Sequence, residues 1–302
     1  MLNVKELKEM ENPILITSSK GIGTKLNIAL AMSKFDTVGT DLVALCANDL
    51  LSKGAKPLLF TDFISCSSKK KDVYDDILKG IDEGLKQAGI SNVDNVFLQS
   101  LESLSSDNLN VSGSLLGVVD ESEMITGETI KNGNSIIGIT SSGLHTEGFN
   151  QVKKAMGTFN SEALNTYFDS LDATLGEELI KPSKIYTEAI KNIKEANIKI
   201  RGMANVAEGS FLQCVKDMLP DDVYAEISLS SFSHPPIFKM IQETGGFSIE
   251  TMYDNFNMGI GFMVVVASQD RENAIQAIRH AGEVAFVIGS IKEGKKGIEF
   301  VD

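Results

Sequence analysis

Several polar clusters in this chain have residue types and spacings that could do chemistry. Gly21-Ile22-Gly23-Thr24-Lys25 sets two glycines ahead of a hydroxyl and a cation. Glycines let backbone N–H groups approach an anion and the lysine adds a compact positive charge, so the run reads as a phosphate cradle or as a plain turn. Asn48-Asp49-x4-Gly54-Ala55-x-Pro57 sets an amide and a carboxylate ahead of a glycine turn. A carboxylate at the end of a helix opposes the helix dipole, so Asp49 calls for a compensating partner, or for solvent at a helix end. Ser141-Ser142-Gly143-x-His145 puts small residues just before a helix start, a place that suits an anion; His145 reads as a ligand contact or as a capping residue. Asp41 falls in a first helical turn, where an acid is favourable. Asp62 falls in an apolar strand, where it must be paired, ligating or terminal. His234 and His280 lack such neighbours and read as structural or exposed.

These residues need elements to hold them. Short strands are predicted over residues 14–17, entering the glycine loop, and over 58–63, 93–98, 114–119 and 135–140. A helix is predicted over residues 40–52, apolar at Leu42, Val43, Leu45, Cys46 and Leu50. Another is predicted over residues 72–88, with Val73, Ile77, Ile81 and Leu85 as its stripe and Gly89 as its cap. A helical tract begins near Phe149, and residues 157–179 read as a polar connection. Helices over 185–196 and 271–281, with strands over 261–267 and 284–288, complete the chain. A chain of 302 residues is long for one core, so two α/β domains are expected, divided near residue 140.

Composition excludes several classes of function. A net charge of -13 disfavours nucleic acid, whose phosphates need a basic face. The one basic run, Lys69-Lys70-Lys71, reads as a solvated surface. No apolar run approaches the ~18 residues of a membrane span, and the charged start of the chain is unlike a signal peptide. Cys46, Cys66 and Cys214 are scattered without metal spacing, which fits a reduced, cytoplasmic protein. The sequon Asn110-Val111-Ser112 is then idle.

The run Asp49-x4-Gly54-Ala55-x-Pro57 resembles a signature of the aminoimidazole ribonucleotide synthase (phosphoribosylformylglycinamidine cyclo-ligase) family. The resemblance extends over Asp36-Thr37, Gly39, Asp41-Leu42-Val43-Ala44, Gly21-x-Gly23-Thr24-Lys25-Leu26, Ser141-Ser142-Gly143-x-His145, Pro182-Ser183-x-Ile185-Tyr186 and Phe256-Asn257-x-Gly259-x-Gly261, in the family's order. It covers roughly residues 13–292, and ordered motifs carry weight that one glycine pair does not.

The resemblance implies an α/β fold of two domains. Residues 1–140 are expected to form an N-terminal ATP-binding and dimerisation domain whose strands build a shared dimer barrel, and residues 141–302 a C-terminal synthase domain. It implies ATP-dependent ring closure of formylglycinamidine ribonucleotide, with ATP and Mg2+ as cofactors. Lys25, Asp49 and His145 are implied as catalytic. Gly21, Gly23, Thr24, Lys25, Asn48, Asp49, Gly54 and Ala55 are implied as nucleotide contacts, and Asp49 and Glu102 as metal ligands.

The departures from the family pattern bear on the same site. Lys20 stands where the family has an aspartate, Gln99 where it has a glutamate, and Glu147-Gly148 where it has Asn-Gly. The family's Ala-His-x-Thr-Gly-Gly-Gly run stands here as Ala204-Asn205-Val206-Ala207-Glu208-Gly209-Ser210, without its histidine, threonine and two of its glycines and with a carboxylate at Glu208, and Lys184 replaces an arginine. A glycine-rich leader that covers the substrate is expected to be missing, because about twelve residues precede the first strand. Two functional readings follow. One is a working cyclo-ligase, as a homodimer; the other is an inactive paralogue that serves as a structural or dimerisation partner, as in a heterodimer with an intact copy.

Overall fold

The computed structural model describes residues 5–66, 71–91, 93–99, 109–157, 159–206 and 210–302. Glu102, Glu208, Lys69 and Lys70 lie outside the described residues. The first half builds a four-stranded sheet from β1 (Pro13–Gly21), β2 (Lys56–Cys66), β3 (Val93–Gln99) and β4 (Asn110–Asp120), in the order β1-β4-β2-β3. β4 is antiparallel to both its neighbours, while β2 and β3 run parallel. Strand alternation sends Val111 and Leu115 inward and leaves Ser112 and Ser114 half-exposed.

Helices α1 (Lys25–Met32), α2 (Asp36–Ser52) and α3 (Lys71–Ala88) follow from the same half of the chain. α1 was not foreseen, and α2 begins one turn earlier than residue 40, with Asp36 favourably placed in its first turn. α2 is buried along nearly its whole length because it lies between the first sheet and the second. Its contact with α3 depends on glycine: a Cβ on Gly39 would sit 2.1 Å from Ile77 O, and one on Gly80 would sit 1.8 Å from Asp36 O.

The second sheet has six strands. They are β5 (Asn134–Thr140), β8 (Gly202–Asn205), β9 (Val223–Ser228), β10 (Ile260–Ala267), β11 (Ala285–Glu293) and β12 (Gly297–Val301), in the order β12-β9-β11-β5-β10-β8. β5 pairs with β10 and β11, so the chain changes sheet between β4 and β5, ahead of residue 134. A run buried at every position but its last is what a central strand covered on both faces needs, and β5 shows that pattern.

The tract read as a polar connection contains α5 (Ser161–Leu164), the two-stranded β6 (Tyr167–Phe168) and β7 (Ala173–Thr174), and α6 (Leu175–Leu179). α6 is started by a reciprocal Thr174–Glu177 capping box, a local signal that the polar composition concealed. The remaining helices are α4 (Phe149–Met156), α7 (Thr187–Glu195), α8 (Phe211–Met218), α9 (Pro236–Gly245), α10 (Ile249–Asn255) and α11 (Arg271–His280). α7 and α11 cover one face of the second sheet through Ile190, Ile193, Ala274 and Ile278. Phe211, Val215, Phe238 and Ile241 belong to the other core, which continues without a break into Leu42, Leu45 and Leu50 of α2. The two halves therefore share buried apolar surface. No helix among the described residues is long and apolar enough to cross a membrane.

Candidate functional site

An extended segment, residues 181–186, separates α6 from α7, and three side chains of the first half hold it. Lys25 Nζ donates to Lys181 O at 2.6 Å and lies 2.7 Å from Asp41 Oδ2, with both side chains fully buried. Asp41 Oδ1 accepts from the backbone N–H of Ser183 at 2.8 Å and from its hydroxyl at 2.7 Å. Asn48 donates through Nδ2 to Lys184 O at 2.8 Å and accepts at Oδ1 from the Tyr186 N–H at 3.1 Å. Burial pushes the Lys25 ammonium down and the Asp41 carboxyl up, and their mutual attraction opposes both shifts. This is a charge pair matched inside the protein. The structure places Lys25 there, away from the cleft surface, because its first-turn position on α1 points at α2.

His145 lies on the other side of that segment. Its Nε2 accepts from the Ser142 N–H at 3.2 Å and the Lys184 N–H at 3.4 Å, so the ring is neutral with its proton on Nδ1. Burial first, then the charges of Lys25 and Lys184, push the His145 pKa down to about 3. The Ser141-Ser142-Gly143 loop is fastened further by Asn257, whose Nδ2 donates to Gly143 O at 2.9 Å and Leu144 O at 3.1 Å. Ser142 Oγ donates to Pro182 O at 2.6 Å. The motifs quoted from the second half thus meet in one backbone-binding cluster. His145 is only 1% exposed and does not reach a cleft.

The glycine loop does reach one. A cleft of about 530 Å³ between the two halves is lined by Gly21, Gly23 and Thr24 on one side and by Glu147, Gly148, Asn150 and Lys154 on the other, with Ser210 and Asp254 at its edge. A Cβ on Gly23 would meet nothing within 4 Å, so open space lies before that backbone. Gly148 caps α4 at φ +80°, a conformation glycine adopts without strain, and a Cβ there would sit 2.2 Å from the Phe256 ring. α4 begins at this cleft with Gly148 as its cap and no side-chain hydrogen bond to its first N–H groups, whereas Ser210 Oγ caps α8 by accepting from the Gln213 N–H at 2.9 Å. Thr24 Oγ1 and Asn150 Oδ1, 3.3 Å apart, bridge the cleft. Lys154 and Asn150 were not singled out from the sequence. Their i,i+4 spacing on a helix that follows a glycine-rich loop was the available signal.

Asp49 stands apart from this cleft, on a cavity of about 200 Å³ that it shares with Asn205 and Cys214. Its Oδ2 accepts from Ser18 Oγ at 2.7 Å and lies 3.2 Å from Lys20 Nζ. Among the described residues no group of three or more His, Cys, Asp or Glu could hold a metal ion. Asp49 Oδ2 is already engaged by the Lys20 ammonium and the Ser18 hydroxyl, so a magnesium ion on that oxygen would have to displace a cation. Gly54, at φ +82°, and Ala55 return their N–H groups to Leu51 O and Leu50 O, ending α2 and turning the chain into β2. Of the residues implied by the resemblance, Gly21, Gly23 and Thr24 share a cleft. Lys25, Asn48 and His145 share the buried clamp, and Glu102 is not described.

Two layered sheets joined by a buried polar clamp, with an inter-domain cleft beside a glycine loop, define a protein of the AIR synthase related class. Residues 8–119 match the family described as "AIR synthase related protein, N-terminal domain", and residues 131–302 match its C-terminal domain. The chain is 41% identical over 296 residues to the phosphoribosylformylglycinamidine cyclo-ligase of Lachnospira eligens, covering 98% of this chain and 86% of that protein. It is 36% identical to the cyclo-ligase of Lachnoclostridium phytofermentans, with 98% and 86% covered, and 38% identical to that of Alkaliphilus metalliredigens, with 96% and 84% covered. The chain belongs to the phosphoribosylformylglycinamidine cyclo-ligase family. Its fold is similar to that of E. coli HypE, a hydrogenase maturation protein, at a TM-score of 0.67 and 16% identity, over 100% of this chain and 87% of that one. It is also similar to PurLQS from Thermotoga maritima, at a TM-score of 0.61 and 14% identity, over 94% and 41%.

Proposed function

We propose that this chain closes the imidazole ring of formylglycinamidine ribonucleotide with ATP, giving aminoimidazole ribonucleotide, ADP and phosphate, in the cytoplasm. The observation that carries this reading is the open glycine cradle of Gly21, Gly23 and Thr24, facing Lys154 across the inter-domain cleft, in a chain so similar throughout to named cyclo-ligases.

The cleft volume suits a nucleotide-sized ligand, and open space before Gly23 lets phosphate approach backbone. A HypE relative, 14% identical with a TM-score of 0.62, has been solved with ATP, which supports a nucleotide in this fold. Bound ATP supplies a phosphoryl group that turns the formyl oxygen into a leaving group. The protein's own contribution is positioning and charge. Gly21, Gly23 and Thr24 offer close backbone approach, the α4 start offers N–H groups, and Lys154 offers a point charge. Glu147 and Asp254 bring negative charge to the same cleft, so the site is of mixed polarity. His145 stays neutral at physiological pH and holds the Ser141–Gly143 turn, rather than passing protons.

We read the assembly as a homodimer through the outer face of the first sheet, where Leu15 is 57% exposed. Calorimetric titration with ATP, followed by a ring-closure assay, tests the activity, and sedimentation tests the dimer. Heat on ATP addition and turnover are expected. A folded protein with neither would overturn the reading and leave the non-catalytic paralogue.

A further inference from the structure

We infer that the Lys20 ammonium is the resident cation of Asp49, and that it keeps divalent metal ions off this carboxylate. The pair is formed between the end of β1 and the last turns of α2, with Lys20 Nζ 3.2 Å from Asp49 Oδ2. The same oxygen accepts from Ser18 Oγ at 2.7 Å, so both partners come from one strand face. Both side chains are about one-quarter exposed, 26% and 28%, so a metal ion could approach from solvent. The pairing answers the problem that the sequence posed at Asp49. A carboxylate in the last turns of a helix faces the negative end of the dipole and requires a positive partner, and Lys20 supplies it.

A divalent ion on Asp49 would share Oδ2 with this ammonium. Magnesium requires a nearly ideal octahedron of oxygens at about 2.0–2.1 Å. With Lys20 retained, a doubly charged ion and an ammonium would stand within a few ångströms of each other, a repulsion many times the thermal energy. With Lys20 expelled, the lysine loses its carboxylate. Register strengthens the assignment. Lys20 pairs with Gly113 and Gly113 with Asp62, which sets Lys20 and the buried Asp62 in one row on the sheet. Lys20 therefore pairs with the α2 carboxylate while sharing a sheet row with the β2 carboxylate Asp62, and these are the acids that a divalent ion bridging α2 and β2 would use. The inference rests on the ion pair and not on ring closure.

Electron paramagnetic titration of the full chain with Mn2+, without nucleotide, tests it. The wild type and Asp49→Asn are expected to bind Mn2+ identically. Lys20→Asp is expected to gain one Mn2+ site at least tenfold tighter than any in the wild type, and Lys20→Asp with Asp49→Asn to lose it. A wild-type Mn2+ site weakened tenfold or more by Asp49→Asn overturns the inference. So does a folded Lys20→Asp protein with no new site. If Lys20→Asp does not fold, the comparison of wild type with Asp49→Asn still decides. Loss of ring closure alongside the expected Mn2+ pattern would remove the proposed activity and leave this assignment standing.

Discussion

Lys25 Nζ lies 2.7 Å from Asp41 Oδ2 with neither side chain exposed, and the pair joins α1 to α2 while holding residues 181 and 183 of the other half. A buried pair is informative mainly through what its loss does. Removing one partner leaves an uncompensated charge, which is destabilising by about 3–5 kcal/mol. Asp41→Ala and Lys25→Ala are each expected to lower unfolding stability by that amount in a urea titration. The double variant Lys25→Met with Asp41→Leu is expected to lose less than either single one. Equal losses in all three would show that the pair does not act as a unit.

His145 links stability to pH. Its folded pKa is depressed to about 3 from 6.5, so the native state holds the neutral ring. Below pH 6.5 the unfolded chain takes up a proton that the folded one refuses. The contribution is fully present above pH 6.5 and is lost progressively as the pH falls toward about 3. His145→Gln is expected to have a flatter stability profile between pH 7 and pH 4. Parallel profiles would contradict a buried neutral ring.

Asn48 uses both ends of its amide on one segment, so truncation leaves Lys184 O and the Tyr186 N–H unpaired. Asn48→Ala is expected to cost about 1–3 kcal/mol. The diagnostic readout is faster hydrogen exchange at the Tyr186 amide, with amides of the strand over residues 134–140 unchanged.

Gly261 has no room for a side chain. A Cβ there would sit 2.0 Å from the Tyr186 hydroxyl and 2.6 Å from His145 Cε1. Gly261→Ala is expected to shift both rings and to destabilise by about 2 kcal/mol or more, by overpacking. A thermal midpoint equal to that of the wild type would mean that the clamp is softer than its contacts imply.

Lys154 is exposed to the cleft and not to the clamp. Lys154→Ala is expected to weaken ATP binding about tenfold, the loss of one charged hydrogen bond, with stability unchanged. Affinity unaltered at low salt would remove Lys154 from the nucleotide contacts.

Much of the frame was legible in the chain. The stripe of the helix over Lys71–Ala88, the strand that follows Pro57, and the glycine loop come from local periodicity and turn chemistry. The sheet to which Asn134–Thr140 belongs was not legible, because a uniformly apolar run carries no information about its partners. The capped helix at Leu175–Leu179 was also missed, because polar composition hid its capping box.

The sequence by itself determined which residue types were present for chemistry: a cation after a glycine pair, an Asn-Asp at a helix end, and a histidine after small residues. Only the tertiary structure decided what each one faces. Lys25, Asp41 and Asn48 meet residues 136 to 156 positions away in the chain, and no local pattern encodes that encounter. Once buried there, their charges and amide groups must be matched internally, since water is excluded and an unmatched group is costly. The residues nearest the chemistry by type therefore became the bolts between the domains. The open space was left to glycines and to Lys154, whose role depends on a surface that only folding creates.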